Sequence, residues 1–456
     1  MLLNLSYLSY PLPPDIRRLY EAGDFERMER VIRRRLDDPC VPEAMKERLR
    51  VQLEMAYEIP RAYPYTRAQM LDMLQKNVAD FAEEELEILR DDGTLDWRYV
   101  NGEVRFKNNA LSALLKTRRE YALRATDPAV MSGAKASAEQ LNAMIAKMKA
   151  NGRVRARFEL HEELTVKSGR LTEGETLRIH LPMPIVGAQV KRAELLSASH
   201  PVAFLAPEDE PQRTIYFELP YEPGMTVSAE IAYEIDAPYC HPNAREVYAE
   251  QPVFDTEEMP PHVVFTPYLR ALAKEIVGDE TNALLKARKI YDFITTQAVY
   301  RFMPPYLTVT NIPEYFLSGL RGDCGVQAIT FVTLCRLCGV PAQWQSGLYT
   351  KPNSAGHHDW ARFYVAPFGW LFADCSFGGS AYRAGDLERW NFYFGNLEPW
   401  RLPTCSAFQQ EFNPPRKFLR HDPYDNQSGE VESLTRRLYA DEYEDDCRVV
   451  KYEEME

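Results

Sequence analysis

Gly322-Asp323-Cys324-Gly325 opens a run containing Val326, Ile329, Phe331, Val332, Leu334, Cys335, Leu337 and Cys338. Apolar positions this dense predict a buried helix, ended by Gly339 and Pro341. Cys324 then lies in the first turn. There the partial positive charge of unpaired N–H groups stabilises a thiolate, and the same groups can hold a developing oxyanion. Asp323 reads as the helix cap rather than a general acid. A thiol at a helix start is more often packed than reactive, so the argument needs a base.

Residues 356–365 and 370–374 supply one. They read as two strands around Ala366-Pro367-Phe368-Gly369, which is turn chemistry. A hairpin centred on Ala366 sets His358 directly across from Asp374 on one face, with Cβ atoms about 5 Å apart. His357 has the opposite parity and points away, and a one-residue slip would reverse the assignment. Cys324, His358 and Asp374 thus form a candidate nucleophile, base and orienting acid. Cys324 would attack an amide carbonyl as a thiolate paired with His358 imidazolium, while Asp374 holds the tautomer. His358 would then protonate the leaving amine, and water or a second amine would finish the reaction.

These residues resemble the transglutaminase-like superfamily of papain-type cysteine enzymes. The matching positions are Gly322, Cys324, Ala328, Leu334, Arg336, Gly339-Val340-Pro341-Ala342, His358, Trp360, Tyr364, Gly369-Trp370 and Asp374. The resemblance covers residues 271–379, and residues 376–381 and 394–396 look like a bacterial multidomain branch. It implies an α+β papain-like catalytic domain with Cys324 as nucleophile, His358 as base and Asp374 as orienting acid. Three positions depart from the pattern. Asp359 stands where a small residue is usual and could compete for His358; Gln343 replaces an Arg, and Cys375-Ser376 replaces Pro-Thr. The side chain that would help hold the oxyanion is not fixed by spacing, and Tyr300 and Tyr306 are the candidates.

Other readings of these residues are weaker. Cys335 and Cys338 have no second close pair to complete a zinc site, so they read as core thiols. His357, His358, Asp359 and Asp374 could be metal ligands, but there is no His-Glu-x-x-His and the cysteine would be left unexplained. No cofactor or metal is implied. Trp360, Phe363, Tyr364, Trp370 and Phe372 read chiefly as strand core. A non-catalytic binding scaffold that keeps the fold is the other class of reading; the intact Cys–His–Asp set argues against it.

The positioning elements predict a multidomain α+β chain. Residues 1–150 form a helical N-terminal domain, with amphipathic stretches at 14–37, 42–56, 66–90, 110–124 and 137–150. One hairpin interrupts it at 97–106, around Asn101-Gly102. Residues 151–240 alternate apolar and polar positions between Gly and Pro turns, as in a β-sandwich. A helix over 267–295 leads into the catalytic domain, residues 255–415, and residues 416–456 read as an acidic C-terminal tail or, at 448–452, an edge strand. Over 456 residues the net charge is −13, which disfavours nucleic acid and anionic membranes as partners. A peptide or protein substrate is the expectation. The absence of a signal-like N-terminus and of a long apolar run predicts a cytoplasmic protein. Its eight cysteines are too sparse for a disulfide framework. Oligomeric state is not readable.

Overall fold

The N-terminal periodicity becomes helices, but their breaks follow backbone chemistry that apolar spacing does not reveal. In the computed structural model, which describes residues 5–456 except 168, 170, 188 and 353, the expected helix over 14–37 is two helices, Pro14–Ala22 and Phe25–Asp37. Gly23 separates them at φ 71°, its α-carbon set so close to the Tyr99 carbonyl that a side chain has no room. The stretch over 42–56 runs on as Glu43–Ala62, and that over 66–90 divides into Arg67–Asn77 and Glu83–Asp91. Strands Trp97–Val100 and Glu103–Phe106 pair around Asn101 and Gly102, both at positive φ (51° and 90°), as a type I′ turn requires. The helices after the hairpin are Ala110–Thr117, Arg119–Ala122 and Ala129–Asn151.

Part of this region has a core of its own. Met70, Leu74, Leu86, Leu89, Phe106 and Leu114 pack together, separately from the main core. This small lobe docks through polar contacts onto the chain just upstream of Cys324. Lys107 donates to the Met303 carbonyl, Arg321 to the Asp92 carbonyl, and Arg301 pairs with Asp96 at 3.1 Å.

Next come β1 (Arg153–Val166), β2 (Thr176–Pro182), β3 (Val190–Ala198), β4 (Phe204–Leu205), β5 (Thr214–Pro220) and β6 (Thr226–Pro238). Along β1 buried residues alternate strictly with more exposed ones, so one face lies on the core. The helix expected over 267–295 is two, Pro267–Val277 and Ala283–Gln297, because Gly278 at φ 64° ends the first. They lead to α1 (Cys324–Leu337), β7 (Ala342–Tyr349), β8 (His357–Val365), β9 (Gly369–Ala373), α2 (Cys375–Arg383), β10 (Phe394–Gly395) and β11 (Arg401–Cys405). The strands form one antiparallel sheet in the order β10-β9-β8-β7-β11. α1 is buried from Gly325 to Arg336 and packs on this sheet, with the Phe331 and Phe363 rings 5.6 Å apart.

Of the two readings of the C-terminal residues, a tail over 416–456 or an edge strand at 448–452, the structure has the strand, longer than expected. β12 (Glu430–Ser433) pairs with β2, and β13 (Tyr443–Met455) pairs with β1 along nearly its whole length. The sandwich therefore consists of two four-stranded sheets, β12-β2-β5-β4 and β13-β1-β6-β3, each with a C-terminal strand at one edge. Acidic residues dominate β13 because its outer face is exposed, which is the way an edge strand avoids pairing with another chain.

Candidate active site

Asp323 caps α1, its Oδ1 accepting from the Val326 N–H at 3.1 Å, and so sets Cys324 as the first helical residue. Glycine is required on both sides. A side chain at Gly322 would meet Val326 Cγ1 at 2.7 Å and Phe316 Cδ2 at 2.9 Å, and one at Gly325 would strike the Tyr306 hydroxyl. The helix end is tied to the sheet by Arg336 Nε, which donates to the Ala342 carbonyl at 2.8 Å. Cys324 is half-buried at this junction.

His358 and Asp374 come from the hairpin, in a register that differs from expectation. Val365 pairs with Gly369 and Ala361 with Ala373, so the hairpin is centred on Pro367 rather than Ala366. The shift arises because Gly369, at φ 80°, already belongs to the returning strand, leaving a three-residue loop. Asp374 is therefore diagonal to His358 instead of opposite, but parity survives and the two side chains meet. His358 Nε2 lies 2.8 Å from Asp374 Oδ2.

Asp374 also caps α2. Its Oδ1 accepts from Phe377 N–H at 2.9 Å and Ser376 Oγ at 3.2 Å, while Oδ2 also accepts from Arg401 Nη2 at 2.8 Å. Burial acts to raise its pKa, but His358, Arg401 and the Phe377 N–H overcome that and hold the carboxyl well below the usual range. An ionised Asp374 fixes the proton on Nε2 and leaves Nδ1 as the basic nitrogen. Burial pulls the His358 pKa down against the lift from Asp374, with Arg401 and Lys116 adding to the fall. Trp360 lies beside the imidazole, ring centroids 6.0 Å apart, with Phe377 at 4.6 Å.

The sulfur's partner is not the expected one. Cys324 Sγ donates to Asp359 Oδ2 at 3.1 Å, and among the described residues no hydrogen bond joins it to His358. Asp359 does not compete for His358; it takes the thiol. An ionised carboxylate is a strong, charge-assisted acceptor for the thiol. Its other oxygen accepts from Gln427 Nε2 at 2.8 Å, and the same amide donates to the His358 carbonyl at 3.1 Å. His357 points away from His358 as expected, 3.4 Å from Ser428 Oγ.

Charge around the sulfur also departs from the helix-dipole argument. Burial, Asp359 and Asp323 push the Cys324 thiol well above its ordinary pKa. Burial, with Asp323, Asp422 and Asp374 nearby, pushes Asp359 up in turn, although the thiol's hydrogen bond works the other way. The resting geometry therefore favours a neutral thiol rather than a thiolate–imidazolium pair.

Residues 270–375 match the family model of the transglutaminase-like superfamily. The similarity covers under a quarter of the chain. Solved structures similar to the chain include a candidate cysteine protease from Cytophaga hutchinsonii, 15% identical, with 66% of this chain and 91% of that one covered at a TM-score of 0.42. The periplasmic domain of TgpA from Pseudomonas aeruginosa is 14% identical over 54% of this chain and 96% of its own, at a TM-score of 0.26. No curated protein matches the chain.

Within this segment the two tyrosines separate. Tyr300 pairs in a short parallel bridge with Gly322, two residues before the cysteine. Burial first, then the Cys324, Asp323 and Asp359 charges and a hydrogen bond with the thiol, push the Tyr300 hydroxyl well above its ordinary pKa. Tyr306 instead donates its hydroxyl to the capping Asp323. Lys116, from the N-terminal lobe, stands 4.8 Å from the Tyr300 ring centroid. Arg401, Glu398 and Gln427 escape sequence reasoning because they arrive from distant chain positions with no motif around them. Arg401 is fully buried and pairs with both Glu398 and Asp374. Among the described residues no group of three or more His, Cys, Asp or Glu is arranged to hold a metal ion, and no helix is long and apolar enough to cross a membrane.

Proposed function

We propose that the chain is a cysteine-dependent amide hydrolase acting on a peptide or protein, with Cys324 as nucleophile, His358 as base and Asp374 as orienting acid. The observation that carries the reading is the His358 Nε2–Asp374 Oδ2 bond at 2.8 Å, braced by Arg401, on the strand whose next residue, Asp359, touches the Cys324 sulfur. That bond leaves Nδ1 free to take the thiol proton. Thiolate attack on the carbonyl carbon forms a thioester as the C–N bond breaks, with the proton passing from His358 to the leaving amine. Water, deprotonated by His358, then releases the acid and restores the thiol. Backbone N–H groups at the start of α1 and the Tyr300 hydroxyl are the donors proposed for the oxyanion.

Acyl transfer is the same chemistry with an amine replacing water. The two reactions separate by product mass from Gln-containing peptides, with and without an added primary amine. The hydrolase reading expects the acid product even with amine present, and expects Cys324→Ala to abolish it. Turnover that survives Cys324→Ala would overturn the reading, as would an amine adduct as the sole product.

A further inference from the structure

The carboxylate on the sulfur is unlike the rest of the site, because it sits where it opposes the proposed chemistry. Asp359 directly follows His358 at the start of β8, and both residues are buried. Three observations fix Asp359 against Cys324. Sγ donates to Oδ2 at 3.1 Å, Gln427 Nε2 anchors Oδ1 at 2.8 Å, and a side chain at Gly325 would come within 3.0 Å of Oδ2. Asp359 is 6% exposed, so water competes little for the thiol.

We propose that Asp359 is a positioning residue that latches the Cys324 thiol as a neutral hydrogen-bond donor, so that the nucleophile reaches His358 only when this carboxylate is neutralised. The inference rests on the proposed Cys–His chemistry and deepens it. While the latch is closed, the thiol proton lies between Sγ and Oδ2. When Asp359 takes a proton from solvent it stops accepting. Sγ then loses its acceptor, and in the proposed Cys–His step its proton passes to His358 Nδ1, leaving thiolate and imidazolium; no other bond changes.

The charges around the latch favour its neutralisation. Asp323 faces Asp359 from the start of α1, Asp374 from the end of β9, and Asp422 and Asp425 from the C-terminal loop. Tyr300 and Tyr306 face it from the segment before α1. The bases on this side are offset. Lys107 acts on Asp323, and Arg420 and His421 act on Asp422. Carboxyls crowded this way cannot all ionise together, so Asp359 takes up a proton more readily than an isolated Asp.

Alkylation by iodoacetamide, followed from pH 5 to 10 by peptide mass spectrometry, tests the latch in the full chain. Cys40 is exposed and serves as an internal free-thiol reference. Asp359→Asn keeps an oxygen for Gln427 and turns an N–H toward sulfur, which stabilises a thiolate. The midpoint for Cys324 should fall by about one pH unit or more, a roughly tenfold gain in reactivity below it. Asp359→Ala should move it the same way, and adding His358→Ala should cancel the gain. A midpoint that stays or rises in both Asp359 variants, while His358→Ala alone raises it, overturns the latch and leaves the Cys–His reading standing. A profile that neither the Asp359 nor the His358 variants move overturns both. Thermal unfolding run alongside separates a lost fold from a changed thiol.

Discussion

Asp374→Asn is the most demanding test of the brace behind the imidazole. Four donors converge on this carboxyl: His358 and Arg401 on Oδ2, Phe377 N–H and Ser376 on Oδ1. An amide has one acceptor oxygen, so either orientation turns an NH2 group into two donors. If it faces Oδ1's partners, the α2 cap is lost. If it faces Oδ2's partners, Arg401 keeps only Glu398, and His358 must move its proton to Nδ1. Hydrogen bonds to charged groups contribute about 1.5–3 kcal/mol each, and breaking a buried ion pair costs about 3–5 kcal/mol. A loss of about 3–5 kcal/mol is therefore expected, well above the roughly 1 kcal/mol of a cap alone. Urea unfolding followed by tryptophan fluorescence reads it, since Trp360 lies beside the ring. Sign and window follow from the depressed pKa. The stabilisation is complete above the ordinary value of 3.8 and disappears only as pH falls through the lower folded-state value. The gap between wild type and variant should then be constant above about pH 7, widen as pH falls below the ordinary histidine value of 6.5 because His358 has lost the lift from Asp374, and narrow only in strong acid. Turnover should drop on the order of 10⁴-fold through the displaced tautomer. A stability loss under about 1 kcal/mol, or a gap that narrows as pH falls from about 8 to about 5, would refute the brace.

Three further outcomes are expected. Tyr300→Phe should lower kcat about 10²-fold with little change in KM, the signature of a lost oxyanion donor; a pure KM effect would reassign Tyr300 to substrate binding. Arg401→Met strands the buried Glu398 and Asp374 carboxyls and should cost about 3–5 kcal/mol in urea unfolding, with part recovered by adding Glu398→Gln; additive single effects would sink the coupling. Glu162, buried in the sandwich, is pushed up to about 8 by burial and then by Asp445. The folded chain keeps a proton that the unfolded chain sheds above about 4.5, so stability should fall as pH rises from there to about 8, by on the order of 4 kcal/mol. Glu162→Gln should remove that slope, and an unchanged slope would show that the charge is tolerated.

Much of the site's scaffold could be read from local chemistry. Asp323 as cap and Gly339 as terminator bracket α1, and the parity of His358 and Asp374 survived an error in the hairpin's centre because moving the centre by one residue shifts the pairing by two. What escaped was long-range. Which carboxylate meets the sulfur depends on how α1 lies on the sheet, and no spacing around Cys324 encodes that. Arg401 and Gln427 lack a local signature, since a buried Arg or Gln next to ordinary strand residues reads as surface. The last strand was left between a tail and an edge strand for a compositional reason: an edge strand with one exposed face carries the charges of a solvated tail. Helices merged in the reading at 14–37 and 267–295 because amphipathic period continues across Gly23 and Gly278, where the backbone does not.

The C-terminal strands set an order on maturation. β12 and β13 complete sheets begun by β1 and β2, and Gln427, which anchors Asp359, belongs to the same late stretch. A nascent chain that has already made the cysteine and the histidine still has bare sandwich edges and an untethered carboxylate beside its thiol. Those edges are surfaces on which unfinished chains can pair with one another. Synthesis of residues 427–455 covers those edges with charged strands and sets the sulfur's neighbour in place.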